Sequence, residues 1–71
     1  MLETPIVERY VVADVRRARD GSDAPPEITE RFQGRAFTLH ELEVRGVRIT
    51  SRRGWYLANG EDWILSVQPT L

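Results

Sequence analysis

The chain has 71 residues, a net charge of −1 and no cysteine. The length fits one small domain over residues 1–71, and the lack of cysteine excludes a disulfide framework and a cysteine-based zinc site. A domain of this size buries only about 60% of the surface that its unfolded chain exposes, so a partner or a second copy would add useful buried area. The sequence has neither a transmembrane run nor a signal peptide, which predicts a cytoplasmic protein with no membrane partner.

Charge is distributed unevenly along the chain. All ten basic residues are arginine, which indicates the codon usage of a GC-rich genome, such as that of a high-GC bacterium or one of its phages. The segment from Val44 to Gly60 contains four arginines and no acid, whereas the remainder is acidic. One local basic segment therefore lies on a molecule with no overall attraction for nucleic acid.

The N-terminal half predicts one strand, one loop and one short helix. Residues 6–16 are rich in β-branched side chains and apolar on both faces, which favours a largely covered strand. Residues 20–26 combine glycine, serine, aspartate and proline, which predicts a mobile loop. Residues 26–33 begin with a proline that suits the first helical position, and Ile28 and Phe32 would share one face of a short helical turn.

The segment after Gly34 admits two interpretations. Residues 38–41 read TLHE, a capping-box pattern, and Gly46 fits a C-terminal stop, which together favour a short helix over 39–45. The other interpretation is a hairpin that turns at Arg45-Gly46, because pairing from that turn gives an aliphatic face and an opposite-charge pair. The pairs would be Val44 with Val47, Glu43 with Arg48, and Leu42 with Ile49. We favour the hairpin, since agreement on two faces is harder to obtain by chance than a short capping match.

The strongest local signal is Asn59-Gly60, which predicts a tight type I′ turn. That turn pairs Tyr56 with Trp63 and Trp55 with Ile64, and paired residues lie on the same face. A preceding turn at Arg53-Gly54 would oppose Ser51 to Tyr56 and continue one inner face. Trp63 is then the core tryptophan, and Trp55 lies on the opposite face. The predicted inner face is Leu42, Val44, Val47, Ile49, Tyr56, Trp63, Leu65 and Val67.

These elements predict a mostly β fold. Residues 35–67 would form a four-stranded meander, and the N-terminal strand would close it into a small five-stranded barrel or curled antiparallel sheet of SH3-like or OB-like size. One short helical turn near 26–33 would accompany it. The alternative fold is α+β, with the short helix at 39–45.

No catalytic pattern is present in the sequence. His40 is the only histidine, and on a strand its neighbours Glu41 and Glu43 would point away from it. Phosphate-binding loops, HExxH and CxxC motifs are all lacking. We therefore expect no enzyme, with no catalytic residue, no cofactor and no metal site.

Three functions remain open. The first is a protein-binding adaptor or inhibitor that uses an aromatic and arginine patch, unless the 26–33 turn or the first strand covers it. The second is a nucleic-acid-binding small barrel, in which arginines contact phosphates and Trp55 stacks on a base. The third is a homo-oligomeric assembly component, for example a homodimer. The protein-binding patch would be Trp55, Leu57, Ile64 and Arg52, and the nucleic-acid set would be Arg45, Arg48, Arg52 and Arg53.

Overall fold

The computed structural model describes residues 8–70 of the chain. These residues form five strands and two short helices. The strands make one curled antiparallel sheet, a half-barrel with strand order β2-β1-β5-β4-β3. The predicted mostly β, five-stranded curled sheet is therefore confirmed. The elements are β1 (Arg9–Arg17), α1 (Pro26–Phe32), β2 (Ala36–Thr38), α2 (Leu39–Val44), β3 (Val47–Thr50), β4 (Arg53–Ala58) and β5 (Glu61–Thr70).

The two edge strands of the half-barrel are bridged by α2. This helix follows β2 directly and leads into β3, and it packs against both strands. Its buried residue is Leu42, which no solvent reaches. A short helix without much propensity of its own is stabilised mainly by such tertiary packing.

The core lies between the concave side of the sheet and the two helices. Helix α1 contributes Ile28 and Phe32, as its spacing predicted, and Phe32 packs edge-on against Phe37 of β2 and Tyr56 of β4. Edge-on aromatic contacts of this kind add to the stabilisation from burial. The buried core residues are Val12, Val15, Ala24, Ile28, Phe32, Phe37, Leu42, Val47, Trp63, Leu65 and Val67.

The predicted hairpin at Arg45-Gly46 is wrong, and the helical interpretation is right. The Thr38 hydroxyl accepts a hydrogen bond from the Glu41 N–H at 3.1 Å, and the Glu41 carboxylate accepts one from the Thr38 N–H at 2.9 Å. The hydrogen bond from the Thr38 N–H to the Glu41 carboxylate lowers the pKa of Glu41. Val44, which the hairpin placed in the core, is 69% exposed. The capping box therefore overrides the pairing pattern of the hairpin.

The four-stranded meander over 35–67 is wrong for the same reason. Strand β2 pairs with β1, bringing Phe37 opposite Tyr10, and it makes no ladder with β3 in the described part of the chain. The N-terminal strand therefore lies between β2 and β5 instead of closing one end of a meander. Residues 6–7, which the sequence assigns to this strand, lie outside the described residues.

The turn before β4 was placed two residues too late. The structure turns at Ser51-Arg52, both with positive φ, and pairs Val47 instead of Ser51 with Tyr56. Side chains alternate with a period of two, so a shift of this size leaves each residue on its predicted face. The turn at Asn59-Gly60 is confirmed: it has positive φ at both positions and pairs Tyr56 with Trp63.

The loop over 20–26 is tied to the end of β1. The Ser22 carbonyl accepts the Arg17 N–H at 2.8 Å, and Asp23 forms an isolated bridge with Arg16. Ala24 is buried in the core. The segment therefore has fixed contacts at both ends, and its mobility stays a prediction.

Gly54 permits the tight approach of β3 to β4. It faces the core, where an added Cβ would lie 2.8 Å from Val47 Cγ1 and 3.2 Å from Leu65 Cβ. Distances this short would force the neighbouring side chains or the backbone apart. The close packing of Val47 and Leu65 over β4 therefore depends on the missing side chain.

We expect Gly54→Ala to lower the free energy of unfolding by about 1–3 kcal/mol, because it overpacks the core. Urea denaturation measures this loss. In the Gly54→Ala/Val47→Ala double variant, the closest clashing atom is gone, so the total loss should be smaller than the sum of the single losses. A loss in the double variant equal to the sum of the two single losses would contradict the clash between a Cβ at position 54 and Val47.

Thr38→Ala should lower the free energy of unfolding by about 1 kcal/mol, the usual effect of removing an N-cap hydroxyl. Thr38→Ser keeps that hydroxyl and is the matched control, with an expected loss much smaller than that of the alanine variant. Urea denaturation of both variants beside the wild type checks this. Equal stability of the alanine and serine variants would show that the cap contributes nothing.

Candidate functional site

We call the side of the sheet that faces away from the core the outer face. Side chains alternate along β4, so Tyr56 points to the core and Trp55 to the outer face. Trp55 pairs with Arg48 on β3 and with Ile64 on β5. Ile64 pairs in turn with Arg16 on β1, so one row of outward side chains crosses four strands.

Leu57 and Arg53 widen this row into a patch. Each is two residues from Trp55 on β4 and so shares its face. Leu57 is 67% exposed, and it lines with Trp55 a shallow depression of about 300 Å³. We call the set Arg48, Arg53, Trp55, Leu57 and Ile64 the Trp55 surface.

The Trp55 ring is held in place from one side. Its indole Nε1 donates a hydrogen bond of 2.8 Å to the Thr50 hydroxyl, one strand away on β3. This bond uses the only polar atom of the indole, which leaves apolar ring surface for contact with another molecule. A side chain that is already oriented loses less conformational entropy on binding.

The elements that could have covered Trp55 lie elsewhere. Helix α1 is on the core side, where Phe32 packs against Tyr56 with ring centroids 4.9 Å apart and Arg31 donates to the Tyr56 hydroxyl at 2.9 Å. Strand β1 joins the sheet beside β5 and does not fold across it. Within residues 8–70, no helix packs on the outer face.

The arginines of the Trp55 surface are not held in ion pairs, although Asp62 lies on the same face opposite Leu57. Among the described residues, Arg48, Arg52 and Arg53 make no ion pair, and Arg52 lies at the edge of the surface in the turn before β4. Arg16, at the far end of the row, is instead paired with Asp14 at 3.7 Å and Asp23 at 3.2 Å. The uncompensated charge is therefore concentrated on β3, β4 and their turn.

Arg45 is separated from the other three arginines of the predicted nucleic-acid set. It ends α2, where its guanidinium lies 5.0 Å from the centre of the Phe37 ring and donates to the Glu41 carbonyl. Phe37 faces the core, so Arg45 stands on the helix side of the molecule. The four arginines of the basic segment thus do not form one surface.

Trp63 is the core tryptophan, as the turn at Asn59-Gly60 predicted. It is only 4% exposed, and the Arg17 guanidinium lies 5.3 Å from its ring centre. Its Nε1 is buried without a hydrogen-bond partner among the described residues. Arg17 also lies 3.1 Å from Glu61, so a cation, a carboxylate and the indole are stacked at this corner.

The described residues hold no cluster of three metal-ligating side chains. His40 is exposed on α2. In the loop after β1, the Ser22 hydroxyl donates a hydrogen bond of 2.6 Å to the Asp20 carboxylate, which lowers the pKa of Asp20. No described helix is long and apolar enough to cross a membrane.

A second group of arginines was missed by the sequence reasoning. Arg31 and Arg35 line a cleft together with Arg45, Phe32 and Tyr56. Arg31 ends α1 and Arg35 precedes β2, so only the folded chain brings them beside Arg45. The capping box predicts α2, and Arg45 lies at the end of that helix. This position is a sequence signal that could have suggested that Arg45 lies beside Arg31 and Arg35.

The sequence matches no protein-family model, and neither the curated proteins nor the solved structures include a match to it.

The two tryptophans should differ in access to solvent. In the Trp55→Phe variant, acrylamide should quench the fluorescence of the remaining Trp63 only weakly, because that indole is buried. In the Trp63→Phe variant, acrylamide should quench the fluorescence of the remaining Trp55 more strongly. Trp63→Ala should also lower the free energy of unfolding by about 3–5 kcal/mol, and Trp55→Ala by clearly less. Stronger quenching of Trp63 than of Trp55 would contradict the face assignment.

Proposed function

We propose that this chain is a small, non-enzymatic, cytoplasmic protein-binding module, an adaptor or inhibitor, which binds its partner through the Trp55 surface. The observation that carries the proposal is an oriented tryptophan beside the exposed Leu57, flanked by arginines without ion-pair partners in the described chain. Tryptophan and arginine are the residues most enriched in the energetic centres of protein interfaces.

The charge of the surface favours a partner of particular chemistry. Arg48 lies opposite Trp55 on β3, and Arg53 lies two residues before Trp55 on β4, in the next row of the sheet. An apolar side chain of the partner would pack on Trp55 and Leu57, and carboxylates beside it would pair with the two guanidinium groups. Bidentate pairing of arginine with carboxylate supplies geometric specificity as well as attraction.

Three features favour a protein over a nucleic acid. Trp55 is the only aromatic side chain that the described strands present on the outer face. Its neighbours Leu57 and Ile64 are aliphatic and offer no surface on which a second base could stack. Asp62 lies opposite Leu57, and Asp14 lies on the same face of β1. Both carboxylates would repel the continuous phosphate backbone of a strand that crosses this face, whereas a protein can place its carboxylates beside Arg48 and Arg53 alone.

Nucleic-acid binding is the second candidate, and one observation favours it. Arg48, Arg53 and Trp55 share one face, so a single strand could place a base on the indole and phosphates on the arginines. Salt distinguishes the two functions, because an affinity that depends on phosphate contacts falls steeply as the salt concentration rises. An affinity that depends on an apolar patch changes little.

Leu57→Ser should abolish capture of the partner, whereas Val44→Ser should leave it unchanged. The two aliphatic side chains are matched, with 67% and 69% exposure, but Val44 lies on α2 and away from the outer face. The measurement is an affinity capture from a high-GC bacterial lysate with nuclease present, in which wild type, Leu57→Ser, Val44→Ser and Arg53→Glu are compared. The partner so identified is then purified and titrated against all four proteins by calorimetry.

The proposal requires direct binding that survives nuclease, is lost in Leu57→Ser and Arg53→Glu, and persists in Val44→Ser. Loss of the captured material on nuclease treatment would replace the proposal with nucleic-acid binding. Equal binding by all four proteins would remove the Trp55 surface from recognition. Capture of the chain by itself, lost in Leu57→Ser, would indicate a homo-oligomeric assembly component.

A further inference from the structure

We infer that the cleft between α1, α2 and β4 is a binding site for the phosphate group of a small phosphorylated molecule. The cleft has a volume of about 330 Å³, near the lower end of small-molecule sites. We call it the arginine cleft, and its lining residues are Arg31, Phe32, Arg35, Arg45 and Tyr56.

The three arginines reach the arginine cleft from two parts of the chain, the end of α1 with the turn after it and the end of α2. Arg31 lies in the last turn of α1, Arg35 lies just before β2, and Arg45 caps the end of α2. Helix α2 places Arg45 here by turning back from β2. The cluster therefore combines residues from more than one element and is not the solvated face of one helix or strand.

Two of the three guanidinium groups are held by neighbouring side chains. Arg31 Nη1 donates to the Tyr56 hydroxyl at 2.9 Å, and the Arg45 guanidinium lies 5.0 Å from the centre of the Phe37 ring. The Tyr56 hydroxyl accepts from Arg31, so its own proton remains available as a donor. The site is thus partly preorganised, which lowers the entropic cost of binding.

No carboxylate lines the arginine cleft, and within residues 8–70 none lies within ion-pair distance of its arginines. The positive charge of Arg45 helps to lower the pKa of the Glu41 carboxyl. That carboxylate, however, accepts a hydrogen bond from the Thr38 N–H and lies 3.9 Å from Arg9. The positive charge of the cleft is therefore available to an anion from solution.

The number of donors selects the kind of anion. A carboxylate has two oxygens and is satisfied by one or two arginines, whereas a phosphate monoester presents three terminal oxygens and up to two negative charges. Three guanidinium groups and a phenol hydroxyl match the larger and more highly charged group. The rim of Phe32 and Tyr56 gives the rest of a small molecule an aromatic contact.

The arginine cleft is independent of the Trp55 surface. Tyr56 and Trp55 are neighbours on β4 and point to opposite sides of the sheet. Substitutions on one side therefore leave the other in place, and failure of one proposal does not decide the other.

The test is a calorimetric titration of the full chain with inorganic phosphate, and with acetate in a parallel arm, at constant ionic strength. Arg35→Gln is the main variant, because the Arg35 side chain makes no hydrogen bond or ion pair in the described structure. Arg45→Gln is the second variant, with its thermal unfolding recorded. Arg19→Gln, exposed in the turn after β1 and outside both the arginine cleft and the Trp55 surface, is the matched control.

We expect saturable binding of one phosphate per chain, weakened about tenfold or more in Arg35→Gln and in Arg45→Gln, and unchanged in Arg19→Gln. Acetate should bind more weakly than phosphate. Phosphate binding that does not saturate would overturn the site. Equal weakening of phosphate binding in all three variants would also overturn it, because such an effect reflects net charge alone. Acetate binding as tight as phosphate would overturn the choice of ligand. Phosphoserine and a phosphorylated sugar, titrated next, would show which kind of phosphate monoester fits the aromatic rim.

Discussion

The register of β4 against β5 is the constraint on which the rest of the structure depends. The tight turn at Asn59-Gly60 sets it, because both residues adopt positive φ and leave no freedom to slip by one residue. A slip of one residue would exchange the two faces of the strand and place Trp55 in the core. The turn therefore decides at once which tryptophan stabilises the fold and which one is offered to solvent.

Helix α2 links the fold to its second surface. It spans the distance between the two edge strands, buries Leu42 and leaves Arg45 at its end, beside Arg31 and Arg35. Its capping box is a local device, since Thr38 and Glu41 satisfy each other's backbone N–H groups. The same short segment thus closes the half-barrel and assembles the arginine cleft.

Sequence reasoning succeeded where the decisive chemistry is local and periodic. Asn59-Gly60 defined a turn type, and alternation from it placed Trp63 and Tyr56 inside. Pro26 and the spacing of Ile28 and Phe32 defined α1 correctly. The turn before β4 was misplaced, yet its error was an even number of residues, so every face assignment on β3 and β4 survived.

Sequence reasoning failed where two local patterns competed for one segment. The alternation through Leu42 and Val44 imitates a strand, and only the folded chain shows that β2 pairs with β1 and leaves 39–44 free to form a helix. Strand pairing between distant segments is not encoded in any short window, so the sheet order could not be read from the sequence. The arginine cleft was missed for the same reason, because Arg31 and Arg35 meet Arg45 only in three dimensions.

The central claim is that the outer face around Trp55 is where a partner protein binds. The most direct measurement is photo-crosslinking in cells with a photoreactive amino acid at position 57, compared with the same amino acid at position 44. We expect one discrete crosslinked protein from position 57 and none from position 44, since both positions are similarly exposed but only the first lies on the Trp55 surface. A crosslinked protein from position 44 alone, or the same product from both positions, would contradict the claim.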